Sequence, residues 1–285
     1  MKQGKASIFM LLACGLTAPM FSLIKSAGQL APMGQVIYFH YLAALVVTGM
    51  LLLFARPTTW RIQDKPLFSL RALFWLTTTL CIFNAPTFLP VVHVSLFLNT
   101  APLFVPLIAM FFLRERISLL LWGTIFVAFL GTAFVLKPSG GINPFGAVIA
   151  LTAALATAGS MVSTQRLVAK NSALLLSFYL LLIGVVVTSL VMPFIWQTIP
   201  LKPILLALSS GSIFAVELYC FTKAFAYSSA TRLGPFNYAG VVIAGLVSWL
   251  AWGDKLDLFS WIGIGLVCLG GSLSFLIPRQ KVQTT

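Results

Sequence analysis

The chain has 285 residues, of which 60% are hydrophobic and 8% are charged, and its net charge is +13. A soluble domain carries roughly 25% charged residues, so this composition excludes a soluble globular protein. The basic residues stand singly between apolar blocks, which argues against a nucleic-acid-binding surface. The blocks are about 20 residues long, as bilayer-spanning helices are, and lack the alternation of a membrane β-barrel. We therefore predict an all-α integral membrane protein in contact with the lipid bilayer.

Ten apolar blocks follow one another along the chain. The first imitates a signal peptide, but its apolar run continues beyond the usual length, so we retain it as a membrane span. A Pro-Ser-Gly-Gly break at 138–141 separates the first five blocks from the last five. The predicted spans are Ala6–Ile24, Gly34–Phe54, Leu67–Phe88, His93–Leu113, Ile117–Leu136, Pro144–Thr164, Ala173–Trp196, Ile204–Phe225, Leu233–Trp252 and Leu256–Ile277.

The basic residues are distributed unevenly between the two sides that this count defines. Fourteen of the eighteen, with Arg71 among them, fall in the N-terminus, the alternate loops and the C-terminus, and four fall on the opposite side. Lysine and arginine accumulate on the cytoplasmic side of membrane proteins. We therefore predict that both termini are cytoplasmic.

The two halves of the chain repeat one layout at an offset of 139 positions. An apolar run, a short charged break and a second apolar run occur in both, and the corresponding pairs are Glu115 with Asp254, Arg116 with Lys255, Trp122 with Trp261, Gly131 with Gly270 and Phe97 with Phe236. We interpret this as an internal duplication, with repeats at residues 1–140 and 141–285. Because five spans are an odd number, the second repeat crosses the membrane in the opposite sense, which is typical of secondary transporters.

The stretch Pro102 to Pro138, with its Arg-Glu-Arg break, Trp122-Gly123 and Gly131, resembles the EamA family of the drug/metabolite transporter superfamily. The echo around Asp254 and Trp261 is similar to the second EamA repeat, although Gly253-Asp254-Lys255 departs from the family's L-x-E-R motif. The resemblance implies ten transmembrane helices as two inverted five-helix repeats, alternating access, and a small-molecule solute. It also implies a bacterial inner (plasma) membrane protein without a cofactor.

Glu217 is the one acid of five that lies near the middle of a predicted span. An ionisable group at membrane depth is costly, and is by default a candidate functional group. Facing a cavity, Glu217 could bind the ammonium group of a solute or carry a proton for coupling, since a nonpolar environment favours the neutral carboxyl form. The alternative is a structural bond to a neighbouring helix.

Amides and aromatic side chains form the second set of candidates. Amide groups both donate and accept hydrogen bonds, so they could hold the two ends of an amino acid, or equally link helices to one another. Aromatic rings could line a solute cavity or simply pack. The predicted substrate-binding residues are Glu217, Asn84, Asn99, Asn237, Tyr238, Tyr219, Phe97 and Phe236.

No enzyme motif, phosphate loop or ATP-binding segment occurs in the chain. The four cysteines stand singly and the two histidines lack a nearby acid, so we predict neither a disulfide nor a metal site. We predict a secondary transporter for an amino acid or related small metabolite. The alternatives are a transporter of S-adenosylmethionine or another larger metabolite, and a membrane scaffold or sensor that moves no solute. Whether the protein is a monomer or a homodimer is left open.

Overall fold

The computed structural model describes residues 2–57, 59–89, 91–112, 118–136, 143–243, 246 and 258–276. These residues form α-helices and connecting turns, with no β-strand in the described ranges. A short 3₁₀ turn, Ala85–Thr87, follows the third helix. The helices are α1 Lys2–Gly28, α2 Met33–Ala55, α3 Lys65–Asn84, α4 Val91–Leu98, α5 Ala101–Phe112, α6 Leu119–Leu136, α7 Pro144–Leu167, α8 Ala173–Ile195, α9 Leu201–Ala224, α10 Ala230–Asn237 and α11 Leu258–Leu276.

The all-α membrane fold that the sequence predicts is confirmed. Seven helical stretches in the described part of the chain are long and apolar enough to cross a bilayer, so the count of ten spans remains a prediction. Both charged breaks, at 114–116 and 254–255, and the predicted repeat boundary at 140/141 lie outside the described residues. The seven stretches are Gly4–Gly28, Met33–Ala55, His93–Phe112, Leu119–Leu136, Pro144–Leu167, Ala173–Ile195 and Leu201–Ala224.

The predicted fourth span is divided into two helices, although the stretch as a whole is long and apolar enough to cross a bilayer. α4 ends at Leu98 and α5 begins at Ala101. Pro102 lacks a backbone N–H and disfavours helical backbone in the residue before it. Asn99 Nδ2 and Thr100 Oγ1 donate to carbonyls of the preceding turn, at 2.8 and 2.6 Å, and thereby satisfy the end of α4.

The predicted ninth span also differs from the structure. Its helix begins at Ala230, three residues earlier than predicted, after Ser229 adopts an extended conformation with φ −76° and ψ 153°. α10 ends at Asn237, a turn follows at Tyr238, and residues 239–243 are helical again. Pro235 removes one backbone donor within α10, so the helical hydrogen bonding is already weakened before this turn.

α6 and α11 pack against each other through two glycine contacts. A Cβ added to Gly131 would lie 2.6 Å from Gly263 O, and one added to Gly270 would lie 2.7 Å from Thr124 O. Thr124 and Gly263 are 139 positions apart, as are Gly131 and Gly270. The internal duplication therefore exchanges the two contacts, which is the relation expected of a pseudo-two-fold axis between inverted repeats.

The internal duplication also relates two other helix contacts. α1 packs along α9, and α3 packs along α7, the two contacts that the duplication exchanges. Where α1 begins and α7 and α9 end, apolar side chains form one dense cluster that includes Met10, Val105, Met161, Phe225 and Leu233. We call this region the packed end of the bundle. Each repeat supplies helices to it, so it joins the two halves.

Polar contacts between connecting segments reinforce the packed end. Gln63 N donates to Asn171 Oδ1 at 2.8 Å, and Asn171 Nδ2 donates back to Gln63 O at 3.1 Å. Tyr179 Oη donates to Trp60 O at 2.9 Å. These bonds join the α2–α3 connection of the first repeat to the start of α8 in the second. By the charge distribution, the packed end is the predicted cytoplasmic end.

Candidate functional site

Glu217 lies on α9 where this helix meets α1. Its Oε1 accepts a hydrogen bond from Thr17 Oγ1, with the two oxygens 3.1 Å apart. Its Oε2 is buried and finds no hydrogen-bond partner among the described residues. Close approach of the two helices is possible because α1 buries small side chains, Ala6, Ala13 and Ala27 among them. The acid is therefore held by one neighbour and keeps one oxygen without a bond.

The direction of the hydrogen bond between Thr17 and Glu217 depends on whether Glu217 is protonated. Its Oγ1 is 3.1 Å from Glu217 Oε1 and also 3.1 Å from Ala13 O, one turn earlier in α1. A hydroxyl group has one hydrogen, so it donates fully to one of these acceptors at a time. With an ionised Glu217, Thr17 donates to the carboxylate. With a protonated Glu217, the carboxyl group donates to Thr17, which then donates to Ala13 O.

The first repeat has a neutral counterpart at this position. Thr78 of α3 lies 139 positions before Glu217, and its Oγ1 is 3.2 Å from Thr157 Oγ1 of α7. α3 with α7 and α9 with α1 are the helix pairs that the duplication exchanges. The α3–α7 pair is thus linked through two hydroxyl groups, and the α1–α9 pair through a hydroxyl and a carboxyl group. The acid breaks the internal symmetry of the transmembrane bundle.

The turn between α10 and the following helical residues approaches α1 one turn away from Thr17. Cys14 Sγ donates to Phe236 O at 3.5 Å and is 3.9 Å from Asn237 O. A Cβ on Gly240 would lie 3.8 Å from Cys14 Cβ, an ordinary contact. Of the predicted residues, Phe236 and Asn237 are therefore brought to the same region of α1 as Glu217. Cys14 and Thr17 connect these elements.

Asn84, Asn99 and Phe97 lie in other surroundings. The side chain of Asn84 is exposed at the end of α3 and donates to Leu80 O at 2.7 Å. Asn99 is half-buried and donates to Ser95 O at 2.8 Å. Phe97 packs against a cluster that contains Leu89. Both amides thus bond to carbonyls four residues earlier in the chain.

Tyr219 and Tyr238 are packed against apolar neighbours. The ring of Tyr219 meets that of Phe9 edge-to-face with centroids 6.5 Å apart. Tyr238 is fully buried against Ile125 of α6 and Val267 of α11. Its hydroxyl group has no hydrogen-bond partner in the described part of the chain. The structure therefore places Tyr238 where the two repeats join.

Three residues near these helices were not among the sequence candidates. Thr17 and Cys14 carry no signal in sequence beyond being small and weakly polar within an apolar span. Arg71 did carry one, because it lies four residues inside the predicted third span. The charge distribution places it in a cytoplasmic loop, whereas in the structure it lies within α3 and its side chain is only 1% exposed. An arginine inside a predicted span is by default a candidate functional residue of the protein interior.

Histidine and cysteine side chains do not assemble into a metal site in the described ranges. His40 is buried on α2, and its Nδ1 is 2.9 Å from Ser210 Oγ on α9. Ser210 Oγ donates to Ala207 O at 2.8 Å, so the ring nitrogen of His40 acts as the donor to Ser210. The histidine thus links α2 to α9.

Comparison with known families gives two matches within the chain. The EamA-like transporter family matches residues 4–137 and, separately, residues 144–276. A solved crystal structure of a protein superposes with a TM-score of 0.83 at 18% sequence identity, covering 95% of this chain and 98% of that one. At this identity the likeness shows a shared fold.

Similar proteins with assigned functions are transporters of small molecules. The pseudopaline exporter CntI of Pseudomonas aeruginosa is 26% identical over 249 residues, which are 86% of each chain. An S-adenosylmethionine uptake transporter of Rickettsia bellii is 26% identical over 196 residues, 68% of this chain and 67% of that one. A riboflavin transporter of Vibrio cholerae is 24% identical over 188 residues, 66% and 62% of the respective chains.

Proposed function

This chain belongs to the EamA-like transporter family, and we propose that it moves an amino acid or related small metabolite across the bacterial inner membrane by alternating access. Both termini would be cytoplasmic, as the charge distribution predicts. Glu217 carries the proposal, because it is a partly buried acid in a membrane helix, has one buried oxygen without a hydrogen-bond partner among the described residues, and has a neutral counterpart in the other repeat. A group that departs from the internal symmetry is a natural place for solute recognition.

The chemistry of Glu217 suits a solute with an ammonium group. An ionised carboxylate in a nonpolar environment forms strong hydrogen bonds with a cationic donor, because little water competes for it. The unpartnered Oε2 offers an acceptor for such a donor. A solute ammonium group would therefore satisfy the charge that the helices leave unpaired. Asn237 and Phe236, whose backbone carbonyls lie beside Cys14 one turn from Thr17, would share this role.

The hydrogen bond to Thr17 supplies a route to proton coupling. Binding of a cation favours ionised Glu217, whereas its release favours protonation, because an unpaired charge is costly in a nonpolar interior. Thr17 accommodates both forms by reversing its hydrogen bond. The transporter would then carry a proton when Glu217 has no solute bound, and exchange it for the cationic group.

A larger cationic metabolite is the second candidate for the solute. S-adenosylmethionine uptake transporters are among the relatives, and a positively charged metabolite would also suit Glu217. Family membership favours either transport function over a scaffold or sensor that moves no solute.

Counterflow in proteoliposomes would test the function and Glu217 together. The vesicles are loaded with a mixed panel of amino acids and S-adenosylmethionine, and exchange is followed by mass spectrometry. We expect selective exchange of amino acids by the wild type. Glu217→Gln should lower the initial rate by about tenfold, because a hydrogen bond to a charged group is lost.

The pH dependence of the apparent KM shows whether the negative charge of Glu217, and not only its size and shape, is needed for solute binding. As pH falls, the apparent KM of the wild type for an ammonium-bearing solute should rise, since protonation removes the negative charge. Glu217→Gln should abolish this dependence. Asp64→Asn is the matched control, because it neutralises an acid at the start of α3. Wild-type rate and pH dependence in Glu217→Gln, at equal amounts of protein, would refute the role. Exchange of S-adenosylmethionine alone would favour the second candidate.

A further inference from the structure

Arg71 is a buried cation at the packed end of the bundle and has no acidic partner among the described residues. Its side chain is 1% exposed, and its Nη2 donates to Thr222 Oγ1 of α9 at 3.3 Å. Its Nε and Nη1 are buried and have no hydrogen-bond partner within the ranges that the structure describes. An interior charge left unpaired is strongly destabilising, so two free guanidinium donors in this position require an explanation.

A second hydroxyl group, that of Ser177, bonds to the Thr222 hydroxyl that Arg71 contacts. Ser177 Oγ of α8 donates to Thr222 Oγ1 at 3.4 Å, and both residues are fully buried. Thr222 Oγ1 therefore accepts from Arg71 and from Ser177, and its own hydrogen is used in neither bond. Arg71 Nε, Arg71 Nη1 and the Thr222 hydroxyl are three donors at the meeting point of α3, α8 and α9. A planar carboxylate accepts two parallel bonds from a guanidinium group and has lone pairs left for a hydroxyl donor.

The position of Arg71 along the bundle matches that of Glu217. Arg71 lies six residues after the start of α3, and Glu217 lies seven residues before the end of α9. At 1.5 Å per residue, these distances are about 9 and 10 Å from the same end of the bundle. Arg71 also departs from the internal symmetry, because Ser210 stands 139 positions later. Each repeat thus contributes one ionisable side chain, of opposite sign, that keeps buried atoms without a partner among the described residues, and the two lie at a similar depth.

An apolar crevice enters from the opposite end of the bundle and ends within one helical turn of Arg71 along α3. It has a volume of about 210 Å³ and lies between α2, α3 and α8, with Gly34 and Ile195 near its outer end. Trp75 lines it one helical turn after Arg71, and the Trp75 and Tyr41 ring centroids are 5.3 Å apart. α3 and α8 make few contacts with each other, whereas α2 and α9 pack closely. Separation of α3 from α8 would therefore uncover Arg71.

We propose that Arg71, Thr222 and Ser177 form a carboxylate-binding site, which the carboxylate of the transported solute occupies when α3 separates from α8 and α9. This inference rests on the proposed transport function and deepens it. Glu217 and Arg71 would recognise opposite charges, so the solute class would be zwitterionic. A bound carboxylate would stabilise the separated helices by pairing the guanidinium group, and would thereby couple solute binding to opening of the packed end.

The first test measures binding without transport. Thermal melting of the detergent-purified protein is followed in sodium acetate, in acetamide and in sodium chloride, with ionic strength equalised. Acetate at about ten times its Kd should raise the Tm of a chain of this size by about 3–6 °C, and acetamide should not. Arg71→Gln should abolish the rise, and Arg166→Gln, which neutralises an exposed arginine of α7, should retain it. An equal rise in Arg71→Gln, or none in the wild type, would overturn the site.

The second test asks whether the carboxylate belongs to the solute. Proteoliposomes exchange a panel of amino acids and, separately, the corresponding carboxamides. Arg71→Gln should lower exchange of the amino acids by about tenfold, because the charge-assisted hydrogen bond between the guanidinium group and the solute carboxylate is lost. Exchange of the carboxamides, which carry no negative charge, should fall by less than about twofold. Arg71→Lys should retain part of the carboxylate exchange, which excludes misfolding as the cause. Equal losses in both series would refute the assignment.

The two tests also separate this site from the proposed function. Arg71-dependent stabilisation by acetate supports the site even where the wild type exchanges no amino acid, and such a result contradicts the proposed function alone. Exchange of amino acids that depends on Glu217 but not on Arg71 supports the function and overturns the site. Stabilisation by chloride as strong as that by acetate would identify a free inorganic anion as the ligand and would contradict the solute carboxylate.

Discussion

Substitution of Gly131 by alanine tests the contact between the two repeats. The added Cβ would lie 2.6 Å from Gly263 O and 2.9 Å from Val267 N, both of them backbone atoms that cannot rotate away. Ordinary contact begins at 3.4 Å, so α6 and α11 would have to separate by about 0.8 Å. Overpacking of this kind costs about 1–3 kcal/mol. Gly123→Ala, on the same helix, is the matched control, because its added Cβ would have no described atom of a neighbouring element within 4 Å.

Both variants gain the same helix propensity, so their difference isolates the packing cost. At about 2–4 °C of Tm for each kcal/mol, Gly131→Ala should melt about 2–12 °C below Gly123→Ala. The assay is thermal melting in one detergent, read by intrinsic tryptophan fluorescence. Melting temperatures of the two variants within about a degree of each other would refute the close contact.

The pseudo-symmetry adds a second requirement to this prediction. Gly270→Ala should lose as much stability as Gly131→Ala, because its Cβ would lie 2.7 Å from Thr124 O. Gly265→Ala is its control, since the position has open space among the described atoms. The double variant should lose less than the sum of the two, since both changes separate the same helix pair. If Gly131→Ala and Gly270→Ala lower the Tm by clearly different amounts, the two glycine contacts are not equivalent by the internal symmetry.

Two further substitutions test individual hydrogen-bonding groups. Thr17→Val removes the donor to Glu217, so the exchange rate should fall by roughly tenfold at unchanged Tm; an unchanged rate and pH profile would refute the proton-sensitive bond. Tyr238→Phe removes a buried hydroxyl group without a described partner, whose burial costs about 1–3 kcal/mol, so Tm should rise or stay the same at unchanged KM. A higher KM would show instead that this hydroxyl binds the solute.

The membrane class and the helical fold followed from local properties of the sequence. Continuous apolar blocks of this length predict membrane-spanning helices, because every backbone N–H and C=O group in lipid must form its hydrogen bond within the protein. The repeat followed from a spacing of 139, and its Gly131 and Gly270 lie at symmetric contacts between α6 and α11. Hydropathy does not give the positions of the helix breaks at Asn99 and Tyr238, since an apolar run has the same hydropathy whether it is continuous or interrupted.

Glu217 could be singled out from the sequence because an acid within an apolar block is costly wherever the chain folds. Its neighbours could not be identified in the same way. Thr17 is 200 positions away, and one of several hydroxyl groups inside spans. The amides Asn84 and Asn99 were equally reasonable candidates, yet each donates to its own preceding turn. Whether a polar side chain meets its own helix or another one depends on the rotation of each helix in the bundle.

The sequence by itself determined the class of the protein, its duplication, its family and the presence of one acid at membrane depth, because these follow from hydropathy, spacing and residue type along the chain. Only the tertiary structure decided that Arg71 is an interior cation, and that Thr17, Cys14 and the turn after α10 gather near Glu217. The physical reason is that a flanking and a buried arginine have the same local sequence. The neighbouring helices, contributed by distant segments, determine whether water or protein surrounds the charge.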